Sequence, residues 1–206
     1  MLRMGLKRTA QFVAVLLALP FAALTLFGRL QPVFTFFSHL FAIGPGLPGN
    51  FLRSAYYKLT LDTCSQDSNI AFGTYFVKRH SRVGSRVAIG AYCVVGGADI
   101  GAGTQVGSHV LIPGGGHQHT RNEDGSLTSC AYSLVHIGEQ CWIGDGAILM
   151  ADIGDHCTIG AGAVVTKPIP PGVVAVGNPA RPIGRDTSIQ PDVPKPLMVP
   201  TQEHHA

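Results

Sequence analysis

The sequence predicts an all-β solenoid, a parallel β-helix of hexapeptide repeats that follows a hydrophobic helical region. The first observation is an aliphatic residue that returns about every sixth position from Ile137 to Val165, usually with glycine behind it. The second is a weaker copy of this pattern from Val83 to Ile112. Such short repeats are typical of parallel β-helices, in which each hexapeptide forms one flat face of a triangular coil.

The six-residue period also predicts which side chains fill the interior of the prism. The aliphatic side chain points inward and stacks on its equivalent one coil away, and glycine at the corner tolerates backbone angles that a Cβ would forbid. A small residue stands four positions after the aliphatic one, as at Cys141, Ala147, Cys157 and Ala163. Cys93 occupies an equivalent place, so we expect the cysteines to be reduced core residues. The odd total of five cysteines favours a reducing compartment over a disulfide framework.

Composition limits the classes of function. A chain of 206 residues suffices for one domain with an ample core. Charged residues make up only 13%, and the formal net charge of +3 is too small and too dispersed to indicate nucleic-acid binding.

The N-terminal region is apolar in two runs. The first, Ala10 to Phe27, follows three basic residues like a signal peptide but lacks a small-residue cleavage site. Arg29 separates it from a second run, Leu30 to Ile43, after which Arg53 follows. Basic residues at both ends place these ends on the cytoplasmic side of a membrane. We expect residues 1–50 to form a membrane-associated re-entrant or monotopic helical hairpin; a single span and a buried helical cap are the alternatives.

A second segment, residues 51–69, connects this region to the repeats. The preceding stretch Ile43 to Asn50 is so rich in glycine and proline that we expect a loop there. Phe51 to Leu61 has the pattern of a short amphipathic helix with Arg53 and Lys58 away from its apolar side. Such a helix can lie on a membrane surface, cover the open end of the solenoid, or do both.

The repeats are predicted over residues 70–183, with one excursion loop at 113–135. The loop contains consecutive glycines, His117, His119 and Arg121. An insertion in a solenoid must leave the prism, and such insertions commonly form the binding face. Residues 184–206 are polar, rich in proline and without periodicity, which predicts a disordered tail.

Three motifs within residues 70–183 carry a family resemblance. They are Val135–Gly138 leading to Trp142–Gly144, the run Ile159–Lys167, and Gly177–Ala180. The chain resembles the hexapeptide-repeat acyltransferases, and in particular the bacterial O-acetyltransferases that act on sugars. The resemblance implies a left-handed β-helix, a homotrimer with active sites between neighbouring prisms, acetyl-CoA as co-substrate and no resident metal.

The N-terminal region is similar to that of a membrane-associated subgroup of this family connected with surface polysaccharide. The similar residues include Pro45, Gly46, Gly49 and Tyr57. This resemblance implies a sugar or glycolipid acceptor, such as a lipid-linked or exopolysaccharide precursor. It also implies that the enzyme lies at the cytoplasmic face of the inner membrane.

Acyl transfer to a hydroxyl needs a base and hydrogen-bond donors for the tetrahedral oxyanion. Imidazole suits the first role because it is substantially neutral near pH 7. The family's base is a histidine at the mouth of the excursion, which matches His117 here, with His119 as the alternative. The family's oxyanion donor is a backbone N–H that falls near Asp145. Arg121 and His136 are expected to bind the acceptor.

The family's coenzyme groove maps onto the second half of the repeats. Trp142 should point outward and stack on sugar or pantetheine, while Lys167 and Arg181 can neutralise the phosphates of coenzyme A. The remaining positions expected in this groove are Gly144, Ala163, Thr166 and Asn178.

Two other functions fit the same predicted prism. A zinc enzyme like the γ-type carbonic anhydrases would need three histidine ligands, for which His109, His117, His119 and His136 are candidates. A trimeric scaffold without activity is the second alternative. Nucleotidyltransferases with this prism need a further Rossmann-like half that these residues do not encode.

Overall fold

A computed structural model describes residues 2–114, 126 and 133–185. Three helices come first, and together they form what we call the helical cap: α1 Leu2–Leu24, α2 Gln31–Ala42 and α3 Gly46–Thr60. Short strands follow: β1 Thr63–Cys64, β2 Asn69–Ile70, β3 Tyr75–Phe76, β4 Arg82–Val83, β5 Ala88–Ile89, β6 Val94–Val95, β7 Ala98–Ile100, β8 Gln105–Val106, β9 Leu111–Ile112, β10 Val135–Ile137, β11 Trp142–Ile143, β12 Ile148–Leu149, β13 Thr158–Ile159, β14 Val164–Val165, β15 Val173–Val176 and β16 Arg181–Arg185.

The strands form the three faces of a prism. Face A contains β1, β4, β7 and β10; face B contains β2, β5, β8, β11, β13 and β15; face C contains β3, β6, β9, β12 and β14. All pairings within a face are parallel, and β16 closes the end of face B as an antiparallel strand. The chain visits A, B and C in turn. The prediction of a parallel β-solenoid built from hexapeptides is therefore confirmed.

Each face contributes a ladder of inward aliphatic residues. On face B, Ile89, Ile143 and Ile159 are at most 2% exposed, and they recur in register because Ile89 pairs with Val106 and Ile143 with both Val106 and Ile159. Neighbouring strands lie about 4.8 Å apart, so each side chain packs directly on the next one. This continuous aliphatic stack is the core of the prism.

The cysteines of the described part are core residues. Cys64, Cys93, Cys141 and Cys157 are free and buried. Burial raises the pKa of the Cys64 thiol to about 11 and also raises that of Cys93. The thiols of Cys64 and Cys93 therefore remain protonated near neutral pH and serve as small apolar side chains.

Arg53 holds the helical cap to the prism. It is fully buried, whereas the sequence predicted a surface charge. Its guanidinium donates to the carbonyl oxygens of Ile70 (2.9 Å), Phe41 (2.9 Å), Ala42 (3.1 Å) and Gly44 (2.9 Å), and to Oδ1 of Asn50. The prediction failed because buried carbonyl groups, which leave no mark in the sequence pattern, satisfy all sides of this cation.

Three predicted boundaries also need correction. The loop expected at residues 43–50 is partly helical, because α3 begins at Gly46 and contains Pro48 in its first turn. Proline is tolerated there since the first N–H groups of a helix have no intrahelical partner. The first strand, Thr63–Cys64, precedes the predicted start of the repeats at Ile70. At the other end, β16 extends to Arg185, past the predicted start of the tail at residue 184.

Helices occupy most of residues 2–60 of the apolar N-terminal region. Among the residues that the structure describes, none of these helices combines the length and the apolarity needed to cross a bilayer.

Candidate functional site

The prism has three edges, where the chain turns from one face to the next. We name them the A/B, B/C and C/A edges. Because the coils are stacked in register, residues that follow equivalent inward positions lie above one another on the same edge. The predicted site residues can therefore be assigned to edges from the strand pairing alone.

The predicted excursion loop belongs to the connection from face C to face A, between β9 and β10, and so begins at the C/A edge. Ile112, Leu149 and Val165 are inward residues of consecutive face C strands, so the residues after them share this edge. They are Pro113 at the mouth of the loop, Met150, and the exposed pair Thr166–Lys167. Adjacent rungs are about 4.8 Å apart, which puts Thr166 and Lys167 roughly 10 Å along the edge from the mouth of the loop.

His136 lies where the chain re-enters the prism on face A. Its backbone N–H donates to Oδ1 of Asp152 at 2.9 Å, and its Nδ1 lies 3.8 Å from Oδ2 of Asp99. Arg82 also reaches the Asp99 carboxylate, at 3.3 Å. The His136 side chain is 60% exposed, so it belongs to a polar surface beside the loop and remains accessible to an acceptor.

A second group of predicted residues lies on the B/C edge. Gly144 and Asp145 follow Ile143 there, and a Cβ on Gly144 would clash with the backbone nitrogen of Ala161 in the next coil. Asn178 occupies the same edge in the turn between β15 and β16, one coil beyond Ala161. Two hydrogen bonds hold this turn against Val164 on face C. The carbonyl of Gly177 accepts the N–H of Val164 at 3.0 Å, and the N–H of Ala180 donates to the carbonyl of Val164 at 2.8 Å.

The Asp145 side chain has a structural contact. Its Oδ1 accepts the backbone N–H of Ser108 at 2.5 Å, and Asp155 makes the equivalent contact to Glu139 at 2.8 Å. The carboxylate of Asp145 therefore stabilises a corner of the prism. The expected catalytic role of this position concerns its backbone N–H and stays a prediction.

Trp142 stands on face B, and its side chain points outward as expected. It is 65% exposed and lies between Gln105 and Thr158 on the neighbouring strands. Face B is opposite the C/A edge in a triangular prism. Trp142 and the mouth of the excursion loop are thus on opposite sides of one chain.

Two further predicted residues differ in accessibility. Ala163 is 0% exposed inside the prism, so its side chain cannot contact a coenzyme. Arg181 is exposed at the start of β16, where it pairs with Val176, and its Nη1 donates to the carbonyl of Ala180 at 3.2 Å.

His117, His119 and Arg121 lie outside the described residues, and their roles stay predictions. Within the described ranges, no group of three His, Cys, Asp or Glu side chains is placed to hold a metal ion.

The B/C edge also presents two rings, of which the sequence indicated only that of His109, as a candidate zinc ligand. Tyr92 is 53% exposed and its ring stacks on that of His109, with centroids 5.3 Å apart. Both residues have left-handed backbone angles, with φ of 57° and 59°, at a corner position where Gly146 and Gly162 stand in later coils. A bulky residue at such a position is uncommon, and this departure from glycine was the signal available in the sequence.

Comparisons with known proteins agree with this architecture. Residues 134–167 match the family described as bacterial transferase hexapeptide (six repeats). A maltose O-acetyltransferase from Clostridium difficile is 26% identical, with a TM-score of 0.63 over 80% of this chain and 90% of that one. A hexapeptide-repeat acetyltransferase from Vibrio cholerae is 17% identical, with a TM-score of 0.53 over 75% and 91%. Comparison with curated protein sequences gave no match.

The prism of hexapeptide coils and the similarity to a maltose O-acetyltransferase support an acyl-CoA-dependent acyltransferase. The predicted enzyme class is therefore confirmed.

Proposed function

We propose that this acyltransferase moves an acetyl group from acetyl-CoA to a hydroxyl group of a sugar, with a histidine of the excursion loop as general base. The supporting observation is that β9 ends at Ile112 and β10 begins at Val135, on either side of the C/A edge, and that the sequence between them contains His117 and His119. The similarity to a maltose O-acetyltransferase supports a sugar as the acceptor class.

The chemistry assigns one role to each group. His117, or His119 in its place, takes the proton of the attacking sugar hydroxyl, and the tetrahedral oxyanion is held by a backbone N–H near Asp145. The thiol of coenzyme A then leaves. Thr166, Lys167, Asn178 and Arg181 provide donors and positive charge for the coenzyme, while Arg121 and His136 contact the acceptor.

We further propose that the active site lies between copies of the chain in a left-handed homotrimer. The reason is geometric: the loop leaves at the C/A edge, whereas Trp142 is on face B, on the opposite side of the same prism. When prisms pack side by side, the C/A edge of one copy can face the B side of its neighbour. Such an interface would join the base of one copy to Trp142 of the other.

The acceptor is proposed to be held at a membrane, as a lipid-linked or exopolysaccharide precursor at the cytoplasmic face of the inner membrane. The apolar helical cap and the basic residues that flank it support this location.

Activity should be measured as release of free coenzyme A when the purified chain is given acetyl-CoA and a panel of sugars. We expect His117→Ala to lower kcat by about 10²–10⁴-fold, the usual contribution of a positioned base. His156→Asn is the matched control, because His156 is an exposed corner residue with φ of 57° that asparagine also adopts. Full turnover in both His117→Ala and His119→Ala would contradict the assignment of the base.

The position of the site can be tested by mixing two defective copies. Chains with His117→Ala and chains with Trp142→Ala should each be poorly active, and co-expressed mixed trimers should regain part of the activity. Recovery is expected because one interface of a mixed trimer combines an intact loop with an intact face B. If the site lay within a single chain, mixing would restore nothing.

A further inference from the structure

Helix α1 buries its small residues and exposes its large ones. Ala14, Ala18 and Ala22 are 4%, 0% and 0% exposed, whereas Phe12 and Leu16 are 62% and 53% exposed. From residue 12 to residue 24 the helix has no polar side chain at all. This stretch is about 20 Å long at 1.5 Å per residue.

This arrangement is the reverse of that in a helix bathed by water. Burial from water favours the residues with the largest apolar area, so leucine and phenylalanine should be inside. In lipid that driving force is missing, and helices instead meet through small residues while large apolar residues face the acyl chains. The alanines at every fourth position of α1 follow the second pattern.

Further exposed apolar residues lie in the rest of the cap. We call the whole region the outer apolar surface: Phe12, Val13, Leu16, Leu17, Leu19, Leu24, Leu26, Phe27, Leu30, Phe36, Leu40, Ile43 and Leu47. These are thirteen of the eighteen large exposed hydrophobic residues in the described part of the chain. The apolar exposure is therefore concentrated at one end of the molecule, as expected of an interaction site.

The charge of this end is of one sign. Residues 1–61 contain six Lys and Arg and no Asp or Glu, and Asp62 is the first acidic residue of the chain. Arg8 and Arg29 are exposed and lie on either side of the apolar part of α1. Basic residues beside an apolar surface are attracted to anionic lipid headgroups.

The inner side of α1 is fixed to the protein. The helix packs mainly against α3, and the Phe21 ring contacts those of Phe37 and Phe41 edge to face at 5.3 and 5.5 Å. Gln11 Nε2 donates to the carbonyl of Gln66, in the first coil between β1 and β2, at 2.8 Å. The helix therefore lies along the cap, and a bilayer would meet its side.

We propose that the outer apolar surface inserts into the interfacial region of a bilayer rich in anionic phospholipid, with α1 and α2 in the membrane plane and the prism in water. This deepens the membrane location in the proposed function by naming the lipid class and the contacting residues. Its test uses no acyl transfer, so it can fail while the enzymatic proposal stands, or stand while that fails.

The first test is flotation of the purified full-length chain with vesicles of phosphatidylcholine mixed with phosphatidylglycerol. We expect the chain to float, and Leu16→Glu together with Phe36→Glu to reduce the bound fraction at least about tenfold because buried apolar area is lost. Ile183→Glu is the matched control, since Ile183 is 68% exposed but lies on β16. Binding that is unchanged by the paired substitution would overturn the proposal.

The second test concerns charge. Arg8→Glu with Arg29→Glu should weaken binding to the mixed vesicles severalfold, and vesicles of phosphatidylcholine alone should bind the native chain less well. Equal binding of the native chain to both kinds of vesicle would contradict the proposed preference for anionic phospholipid.

The third test locates the contact. Trp142 is the only tryptophan and lies three strands from β2 on face B, so native fluorescence should not be quenched by brominated phospholipid. A Phe36→Trp variant should gain a quenched component. If sedimentation shows instead that Leu16→Glu separates copies of the chain while flotation is unaffected, a second copy covers this surface and the proposal is wrong.

Discussion

The prism and the helical cap bury different kinds of side chain. In the prism, Ile143 and Leu149 point inward at 0% exposure while Trp142 and Met150 point outward. In α1 the buried positions are alanines and the exposed ones are large apolar residues. The prism thus has the burial pattern of a protein in water, whereas α1 has the pattern on which the proposed lipid contact rests.

The two regions also differ in what fixes their geometry. Each coil of the prism repeats the contacts of the previous one, so stability is spread along an aliphatic ladder. The cap depends on a few polar anchors. Ser38 Oγ lies 2.8 Å from the hydroxyl of Tyr57 and donates to the carbonyl of Phe76 at 2.8 Å, and Arg53 binds four carbonyl groups. A destabilising substitution should therefore affect only the cap when it removes a cap anchor, and the whole prism when it removes a residue of the ladder.

The largest effect is expected from Arg53→Met. The substitution leaves the carbonyls of Gly44 and Ile70 without the donor described above, and each buried unpaired group costs about 1–3 kcal/mol. The carbonyls of Phe41 and Ala42 lose one of two donors, because they also accept the backbone N–H groups of Gly44 and Gly73. We expect the free energy of unfolding to fall by about 3–5 kcal/mol, with early loss of hydrogen-exchange protection in α2 and α3.

Urea unfolding followed by circular dichroism measures this loss. Lys58→Met is the control on the same helix, since Lys58 is exposed and such substitutions usually change stability by less than about 0.5 kcal/mol. Arg53→Lys should remain strongly destabilised because one ammonium group cannot replace the guanidinium fork. An unchanged cap in Arg53→Met would show that the anchor is dispensable.

A core substitution in the prism should have a somewhat smaller effect. Ile143→Ala removes a fully buried side chain between Val106 and Ile159, and we expect a loss of about 2–5 kcal/mol in the free energy of unfolding. The loss should appear as a single lowered transition of the prism, with the cap protected until then. Ile183→Ala, at an exposed position, should change the unfolding midpoint little. Equal effects of Ile143→Ala and Ile183→Ala would contradict the stabilising role of the aliphatic ladder.

The sequence was informative where the structure is periodic. The spacing of Ile137, Ile143, Leu149 and Val165 alone predicted which residues point inward, because a period of six fixes the face of every residue. It could not predict Arg53, whose environment is built by backbone carbonyls from α2, the following loop and β2. It also could not show that Trp142 on face B lies opposite the C/A edge, because that relation depends on counting faces in a folded coil.

The smallest expected change in stability concerns a hydrogen-bonded carboxylate on an edge of the prism, outside the aliphatic ladder. Asp67 accepts hydrogen bonds from Ser65 Oγ at 2.6 Å and from the backbone N–H of Arg86 at 3.1 Å. These bonds, chiefly that from Ser65, lower the pKa of the Asp67 carboxyl below its ordinary value. A carboxyl with a lowered folded-state pKa stabilises the fold above its unfolded pKa of about 3.9, and this contribution is lost as pH falls through the folded pKa.

Asp67→Asn keeps an acceptor oxygen at this corner but removes the titrating charge. We expect its free energy of unfolding to be lower than that of the native chain near neutral pH by less than about 1 kcal/mol, because the group is largely solvated. The two curves should converge below about pH 4, as measured by urea unfolding across pH. If the difference in unfolding free energy between Asp67→Asn and the native chain persisted unchanged in acid, the corner geometry and not the carboxylate charge would supply the stability. The contribution of this edge would then be independent of pH, like that of the aliphatic ladder.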